Sequence, residues 1–485
     1  MASARPPNSI VIILDCVRAK SVGVYGGARV ASTPNIDRLA RRGVRFQRAV
    51  APGNWTVPSH MSIMTGTMPW EHGLRTFRRG LPHPPTIAEW LQARGMETAV
   101  LTEEVHLVGG YGLEDGYQAR IARRMGASDE ERTVTNRFFG HAGFLYSPRM
   151  RTLLERLPGL AVPVSALNFQ QEAAFKREVC SDFVNGEFDS WLAHRDGGRP
   201  FHAFFNFVDG HEPYPALAPR PIWLRTPDGF VQVPRYYLLS VPGLKERVPW
   251  EQVEAAYLAA IAEGDRKVGH VLAALEKNGE LDRTLVIVTA DHGQSLGETG
   301  TVYHGCGASD AVLRVPLVVA GPGVPSGGPP IESWVSLCEI PSWLKSSALG
   351  REPFGPEGIA PVPFPARPGD PSTVLAEGGP ASDPNRSLHG IGMDHRWNHR
   401  LVAAYRRDRK WVWDLFSGEL WRWVTEGRDP DGQHPDALQG EERMEALEDV
   451  FRVHTAADAE RFRGITGAQE REPLGDARMR SWGYD

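Results

Sequence analysis

Three short, strongly apolar runs each end in an acid, and this recurrence limits the folds open to the chain more than any other feature. Ser9–Leu14 (SIVIIL) leads into Asp15, Phe201–Val208 (FHAFFNFV) into Asp209, and Leu285–Thr289 into Ala290, Asp291 and His292. A continuous β-branched or aromatic run of this length reads as a strand covered on both faces, the habit of a parallel sheet. Helical signals lie between the runs. Thr33-Pro34 opens a helix that Gly43 closes, Pro58–Met64 has proline in its first turn with Thr56 just ahead, and Thr86–Arg94 leads through Gly95 into the strand Thr98–Thr102. Glu251–Lys277 is a long amphipathic helix stopped by Asn278-Gly279, and Val315–Ala320 is one more strand. Strands alternating with helices predict an α/β fold whose mainly parallel sheet is covered on both faces.

Gly350–Pro371 is dense in proline and glycine and reads as a connection. It divides a catalytic domain over 1–365 from a smaller C-terminal subdomain over 366–485. There Leu401–Tyr405 and Lys410–Trp413 read as antiparallel strands and Glu441–Val453 as a helix. Trp411, Trp413, Trp421 and Trp423 read as the core of that subdomain sooner than as a stacking platform for substrate.

A net charge of −5 on 485 residues, with basic residues spread along the chain, gives no reason to expect nucleic acid or an anionic membrane as partner. Nowhere do about 18 apolar residues run together, so no membrane anchor is expected. The first residues lack the basic start and apolar stretch of a secretion signal. Cys16, Cys180, Cys306 and Cys338 are scattered and match no metal knuckle or redox pair, which suits reduced thiols in a cytoplasmic protein. Oligomeric state has no signature in the sequence.

Open α/β sheets place their sites beyond the C-terminal ends of strands. Asp15, Asp209 with His211, and Asp291 with His292 would therefore meet at one edge, a donor set suited to a divalent ion, Zn, Mn, Mg or Ca. For any one of these acids taken singly, capping a turn is an equally good reading. Thr56 stands at a helix start, where positive potential and unpaired N–H groups favour an anion. A metal there would turn its hydroxyl into a nucleophile, although a plain N-cap is the commoner use of such a threonine.

The ordered motifs extend this reading. They are Leu14-Asp15 with Arg18, Tyr25-Gly26, Thr33-Pro34-Asn35-Ile36-Asp37, Pro58-Ser59 with Thr65-Gly66, and His72-Gly73. Pro85-Thr86, Tyr257 with Asp265 and Gly269, Asp291-His292-Gly293 with Leu296-Gly297-Glu298, and Arg314-Val315-Pro316-Leu317 follow in turn. Through these the chain up to about Gly350 resembles the sulfatase branch of the alkaline phosphatase superfamily. The resemblance implies an alkaline phosphatase-like sandwich with a small C-terminal α+β lobe. It also implies Asp15, Asp291 and His292 as metal ligands, and Thr56 as nucleophile and further ligand.

Three departures bear on the chemistry. The sulfatase nucleophile is a Cys or Ser oxidised to an aldehyde; threonine would leave a ketone, and the arginine of that motif is His60 here. The lysine of the family's Lys-x-His is Glu104, with His106 retained, and a later lysine is His304. The pattern is similar to the threonine-using branch of phosphoethanolamine transferases and lipoteichoic acid synthases, in which histidines match His211 and His304. The resemblance thus implies a hydrolase of a phosphomonoester, phosphodiester or phosphonate, acting through a phosphothreonine intermediate, with Zn or Mn ahead of Mg or Ca. His211 and His304 would assist catalysis, and His211, His304 and His106 would line the substrate site. A small-molecule phosphotransferase, an atypical sulfatase and a non-catalytic binding protein are the alternatives. Cys16, where many sulfatases carry a second aspartate, reads as a buried inert thiol before a metal ligand.

Overall fold

The structure, a computed structural model, describes residues 5–75, 79–122, 182–212, 214, 222–226, 229–233, 250–297, 302–305, 307–353, 373–378, 401–406, 409–414, 419–424 and 436–437. In chain order the strands begin β1 (Asn8–Leu14), β2 (Val44–Val50), β3 (Glu97–Thr102), β4 (Ala119–Ala122) and β5 (Phe201–Phe207). Next come β6 (Ile222–Thr226), β7 (Gly229–Val233), β8 (Thr284–Thr289), β9 (Ser295–Leu296), β10 (Val302–Tyr303), β11 (Arg314–Val315), β12 (Leu317–Ala320) and β13 (Ile331–Ser336). The last five are β14 (Val374–Gly378), β15 (Leu401–Arg406), β16 (Arg409–Asp414), β17 (Leu420–Val424) and β18 (Asp436–Ala437).

Nine strands form the main sheet in the order β11-β2-β12-β8-β1-β5-β3-β4, with β13 also paired to β2. The apolar runs that end in acids are its centre. β1 lies between β5 and β8, parallel to both, and every residue of the three is buried. Parallel alignment carries the C-terminal ends of β1, β5 and β8 to the same edge, which is what brings their acids together.

The expected single strand Val315–Ala320 is broken at Pro316. Its two pieces run antiparallel to β2, and the second also pairs antiparallel with β8. Proline has no N–H to offer a ladder, so the chain steps sideways there.

The long helix Trp250–Lys277 lies on one face of the sheet and fixes its neighbours by side-chain bonds. Asp265 accepts from the backbone N–H groups of Asn35 and Ile36 at 3.2 and 2.8 Å, and so caps the helix Pro34–Arg42. Thr33, which stands at the N-cap position, bonds instead to Gly23 N–H and Asp37. Thr86 and Glu89 form a reciprocal capping box at the start of Ile87–Gln92.

β14 to β18 make a separate antiparallel sheet of five strands. It packs Val374, Ala376, Leu401, Tyr405 and Trp421 against Val50, Val312 and Leu313 of the main body. Asp310 accepts from Tyr405 Oη at 2.9 Å and from Lys410 Nζ at 2.6 Å across that seam. Trp411, Trp413 and Trp421 are buried, in keeping with a packing role. The expected boundary near 365, the helix Glu441–Val453, Cys180 and Cys306 lie outside the described residues. Cys16 and Cys338 are buried free thiols. Among the described residues no helix is long and apolar enough to cross a membrane.

Candidate active site

Asp15 leaves β1 with its N–H still bonded to Phe207 O at 2.9 Å, so the carboxylate emerges at the sheet edge. The chain then turns sharply: Cys16 has φ 63°, the left-handed region that glycine normally occupies. Its N–H donates to Asp291 Oδ1 at 3.3 Å, and its carbonyl accepts from Tyr257 Oη at 2.7 Å. Two glycines let the surrounding loops close on this turn. A Cβ on Gly210 would lie 2.6 Å from the Asp15 carbonyl, and one on Gly293 would lie 2.1 Å from that of Ala311.

Asp291 and His292 leave β8 beside it. His292 Nδ1 faces the Gly293 carbonyl at 2.9 Å, so that nitrogen carries the proton and Nε2 presents a lone pair. Nε2 points at Asp291 Oδ2 (3.2 Å), Asp15 Oδ1 (3.9 Å) and Thr56 Oγ1 (3.4 Å). Thr56 is the first residue of the helix Thr56–Thr65, one place inside the N-cap, Trp55. The helix is buried throughout and anchored by Ser59 Oγ, which donates to the Asp291 carbonyl at 2.5 Å.

The electrostatics of this pocket call for a cation. Asp15, Asp291 and His292 are fully buried. Neither oxygen of Asp15, nor Asp291 Oδ2, receives an N–H or O–H donor. Burial first, then the neighbouring Asp291, pushes the Asp15 carboxyl up to about 7; burial does the same to Asp291. Burial lowers His292 and keeps it neutral. Three carboxylate oxygens that receive no N–H or O–H donor, facing an imidazole lone pair, are unfavourable alone and form a ready donor set for a divalent ion. The residues present therefore fit a metal.

The other predicted histidines stand around this centre. The His304 ring lies 4.6 Å from that of His292 and 4.8 Å from that of His211. His106 is held by the Glu104 carboxylate. Burial opposes its charge, yet the Glu104 hydrogen bond and charge prevail and raise it, and the same contact holds Glu104 down to about 2. Both feel the charge of His211, and His106 also that of Asp15. Glu104 and His106 thus form a hydrogen-bonded carboxylate–imidazole pair at the pocket's side.

Asp209 is placed elsewhere. Lys267 Nζ pairs with it at 2.9 Å and with Glu103 at 2.6 Å, all three side chains being buried, so the third strand-end acid serves an internal ion pair. His60 is likewise structural: Nδ1 donates to the Thr56 carbonyl at 2.9 Å, Nε2 accepts from Asn206 Nδ2 at 3.0 Å, and burial lowers it to about 4.

Two residues at the site were not foreseen. Glu212 stands next to His211, with its Oε2 3.8 Å from His304 Nδ1. Gln294 donates to Glu212 Oε2 at 2.6 Å and faces His304 Nδ1 through its own Oε1 at 2.9 Å. Their adjacency to His211 and to Asp291-His292-Gly293 is the only signal the sequence offered.

The Sulfatase family model matches residues 7–336. Choline-sulfatase of Rhizobium meliloti (strain 1021) is 27% identical over 353 residues, 66% of this chain and 64% of that relative's length. Among solved structures, a phosphonate monoester hydrolase of Agrobacterium radiobacter is similar at TM-score 0.56 and 22% identity, covering 95% of each chain. A putative sulfatase from Bacteroides thetaiotaomicron VPI-5482 is similar at TM-score 0.63 and 16% identity, covering 97% of this chain and 96% of that one.

Proposed function

The chain belongs to the sulfatase family, and from that premise we propose that it is a metal-dependent hydrolase of a phosphate or phosphonate ester with Thr56 as nucleophile. The observation that carries this reading is the 3.4 Å approach of Thr56 Oγ1 to His292 Nε2 beside two buried carboxylates, three of whose four oxygens receive no N–H or O–H donor. Asp15, Asp291 and His292 would hold a divalent ion, Zn or Mn ahead of Mg or Ca, with Thr56 completing the set. Such an ion would supply Lewis acidity, lowering the pKa of the threonine hydroxyl and polarising the ester.

Thr56 Oγ, its proton lost to solvent, attacks phosphorus in line; the new O–P bond forms as the bond to the leaving oxygen breaks. His211 and His304 meet the non-bridging oxygens with N–H donors. His106, whose hold on a proton the Glu104 carboxylate strengthens, gives that proton to the departing alkoxide. Water then attacks the phosphothreonine as its O–P bond breaks, His106 recovers a proton from that water, and the Thr56 oxygen regains its proton from solvent. The helix start beneath Thr56 adds positive potential to both steps.

Two considerations favour phosphorus over sulfur. A threonine cannot become the aldehyde on which formylglycine sulfatases depend, and the fold also carries a phosphonate monoester hydrolase. The choline-sulfatase relative keeps a sulfate ester as the second reading. Aryl phosphate monoesters, diesters, phosphonates and sulfates, assayed in parallel with Mn or Zn, decide between them. Turnover of the phosphorus esters alone is expected, and turnover of the sulfate alone would overturn the proposal.

A further inference from the structure

Cys16, His211, Glu212 and His304 present four donor atoms that all lie within 4.8 Å of one another. Cys16 Sγ is 3.4 Å from His304 Nδ1, Glu212 Oε2 is 3.8 Å from the same nitrogen, and His211 Nδ1 is 3.6 Å from Glu212 Oε2. Four ligands at about 2.0–2.3 Å around a tetrahedral zinc stand about 3.4–3.6 Å apart. Two of the three separations fall in that range and the third, at 3.8 Å, lies just beyond it. We propose that these four residues form a second cation site, distinct from the Asp15/Asp291/His292 pocket and selective for zinc-like ions.

The donor types argue for the selectivity. A thiolate, two imidazoles and one carboxylate suit zinc, whereas calcium and magnesium take oxygen ligands, in sixes to eights or in octahedra. Cys16 also lies within reach of the donor atoms of Asp15 and His292, so the two sites share an edge.

The supporting residues are already in place. Cys16 keeps a left-handed backbone that non-glycine residues rarely adopt, and bonds to Asp291 and Tyr257 hold that turn and with it the direction of its side chain. Gln294 is anchored by Tyr214 Oη at 3.1 Å while it touches both Glu212 and His304. A shared amide of this kind orients two ligands at once. Ligation through the two Nδ1 atoms moves their protons to Nε2. It replaces the present bonds to Gln294 Oε1 and to the Glu212 carbonyl. The thiol proton is released to solvent.

This site deepens the proposed function, because a cation there would take over from the two imidazoles in meeting negative charge on the substrate. Its test does not depend on turnover. The metal-stripped full-length protein is titrated with Co(II) alone and followed by absorbance. Wild-type protein should bind two equivalents, one of which brings a thiolate-to-cobalt charge-transfer band and the intense visible bands of a tetrahedral ion. Cys16→Ser should lose the band and one equivalent, Glu212→Gln should weaken that equivalent tenfold or more, and Zn but not Mg should displace it. Thr56→Ala should keep the band, so a failed nucleophile assignment leaves the cobalt result standing. A wild-type titration without the band, or a band that survives in Cys16→Ser, would overturn the proposal.

Discussion

The hydroxyl of Thr56 faces Nε2 of His292 at 3.4 Å, at the point where the helix Thr56–Thr65 meets the edge of the main sheet. The backbone carbonyl of Gly293 fixes the tautomer that aims this nitrogen inward. Thr56→Ala should therefore lower kcat by at least ~10³-fold while far-UV circular dichroism and unfolding midpoint stay near wild type. Thr56→Ser should retain measurable turnover, since the attacking oxygen is kept. Equal rates for wild type and Thr56→Ala would remove the nucleophile from the account.

Chelation should abolish activity, and Zn or Mn should restore it. Asp15→Asn should lower affinity for the first equivalent of metal, because it removes a charged donor from a set that is otherwise short of positive partners. Isothermal titration of stripped protein measures this. An unchanged affinity would exclude Asp15 as a ligand.

Asp209 offers the opposite expectation. Its carboxylate is committed to Lys267 at 2.9 Å, and Lys267 also serves Glu103, whose carboxyl burial and Asp209 push upward. Asp209→Asn should leave metal stoichiometry intact. Lys267→Met should cost about 3–5 kcal/mol of stability in urea titrations, the usual penalty for stranding buried charge. Loss of a metal equivalent in Asp209→Asn would return that residue to the metal site.

These contrasts show what was legible in the sequence. The three apolar runs and their acids were, because burial on both faces leaves no other use for such runs. The convergence of Asp15, Asp291, His292 and Thr56 followed from strand direction and one helix start. The separate fate of Asp209 was not legible, because its partner Lys267 lies 58 residues away in sequence, on a helix whose rotation about its own axis a periodic pattern leaves loose. The break at Pro316 and the antiparallel entry of β12 depend on which neighbour accepts an edge, a tertiary choice. Glu212 and Gln294 were hidden for a similar reason: each sits beside a flagged residue, yet only the folded loops bring them to the same His304.

His72 predicts an acid sensitivity. Leu74 N–H donates to its Nδ1 at 3.1 Å, its Nε2 bonds Ser62 Oγ at 3.0 Å, and burial lowers its pKa to about 3. The folded pKa lies below the unfolded value of about 6.5, so its contribution is complete above pH 6.5 and is lost as pH falls toward 3. The stability difference between wild type and His72→Gln should shrink by about 2 kcal/mol between pH 7 and pH 5, read from urea titrations. A difference that does not change with pH would mean that His72 is not held neutral.

The central claim is that Thr56 carries the phosphoryl group, and peptide mass spectrometry after incubation with an aryl phosphodiester and Mn or Zn tests it most directly. The account predicts a phosphoryl adduct on the peptide containing Thr56, absent from Thr56→Ala. Ester turnover with no adduct at Thr56, under rapid acid quench, would contradict it.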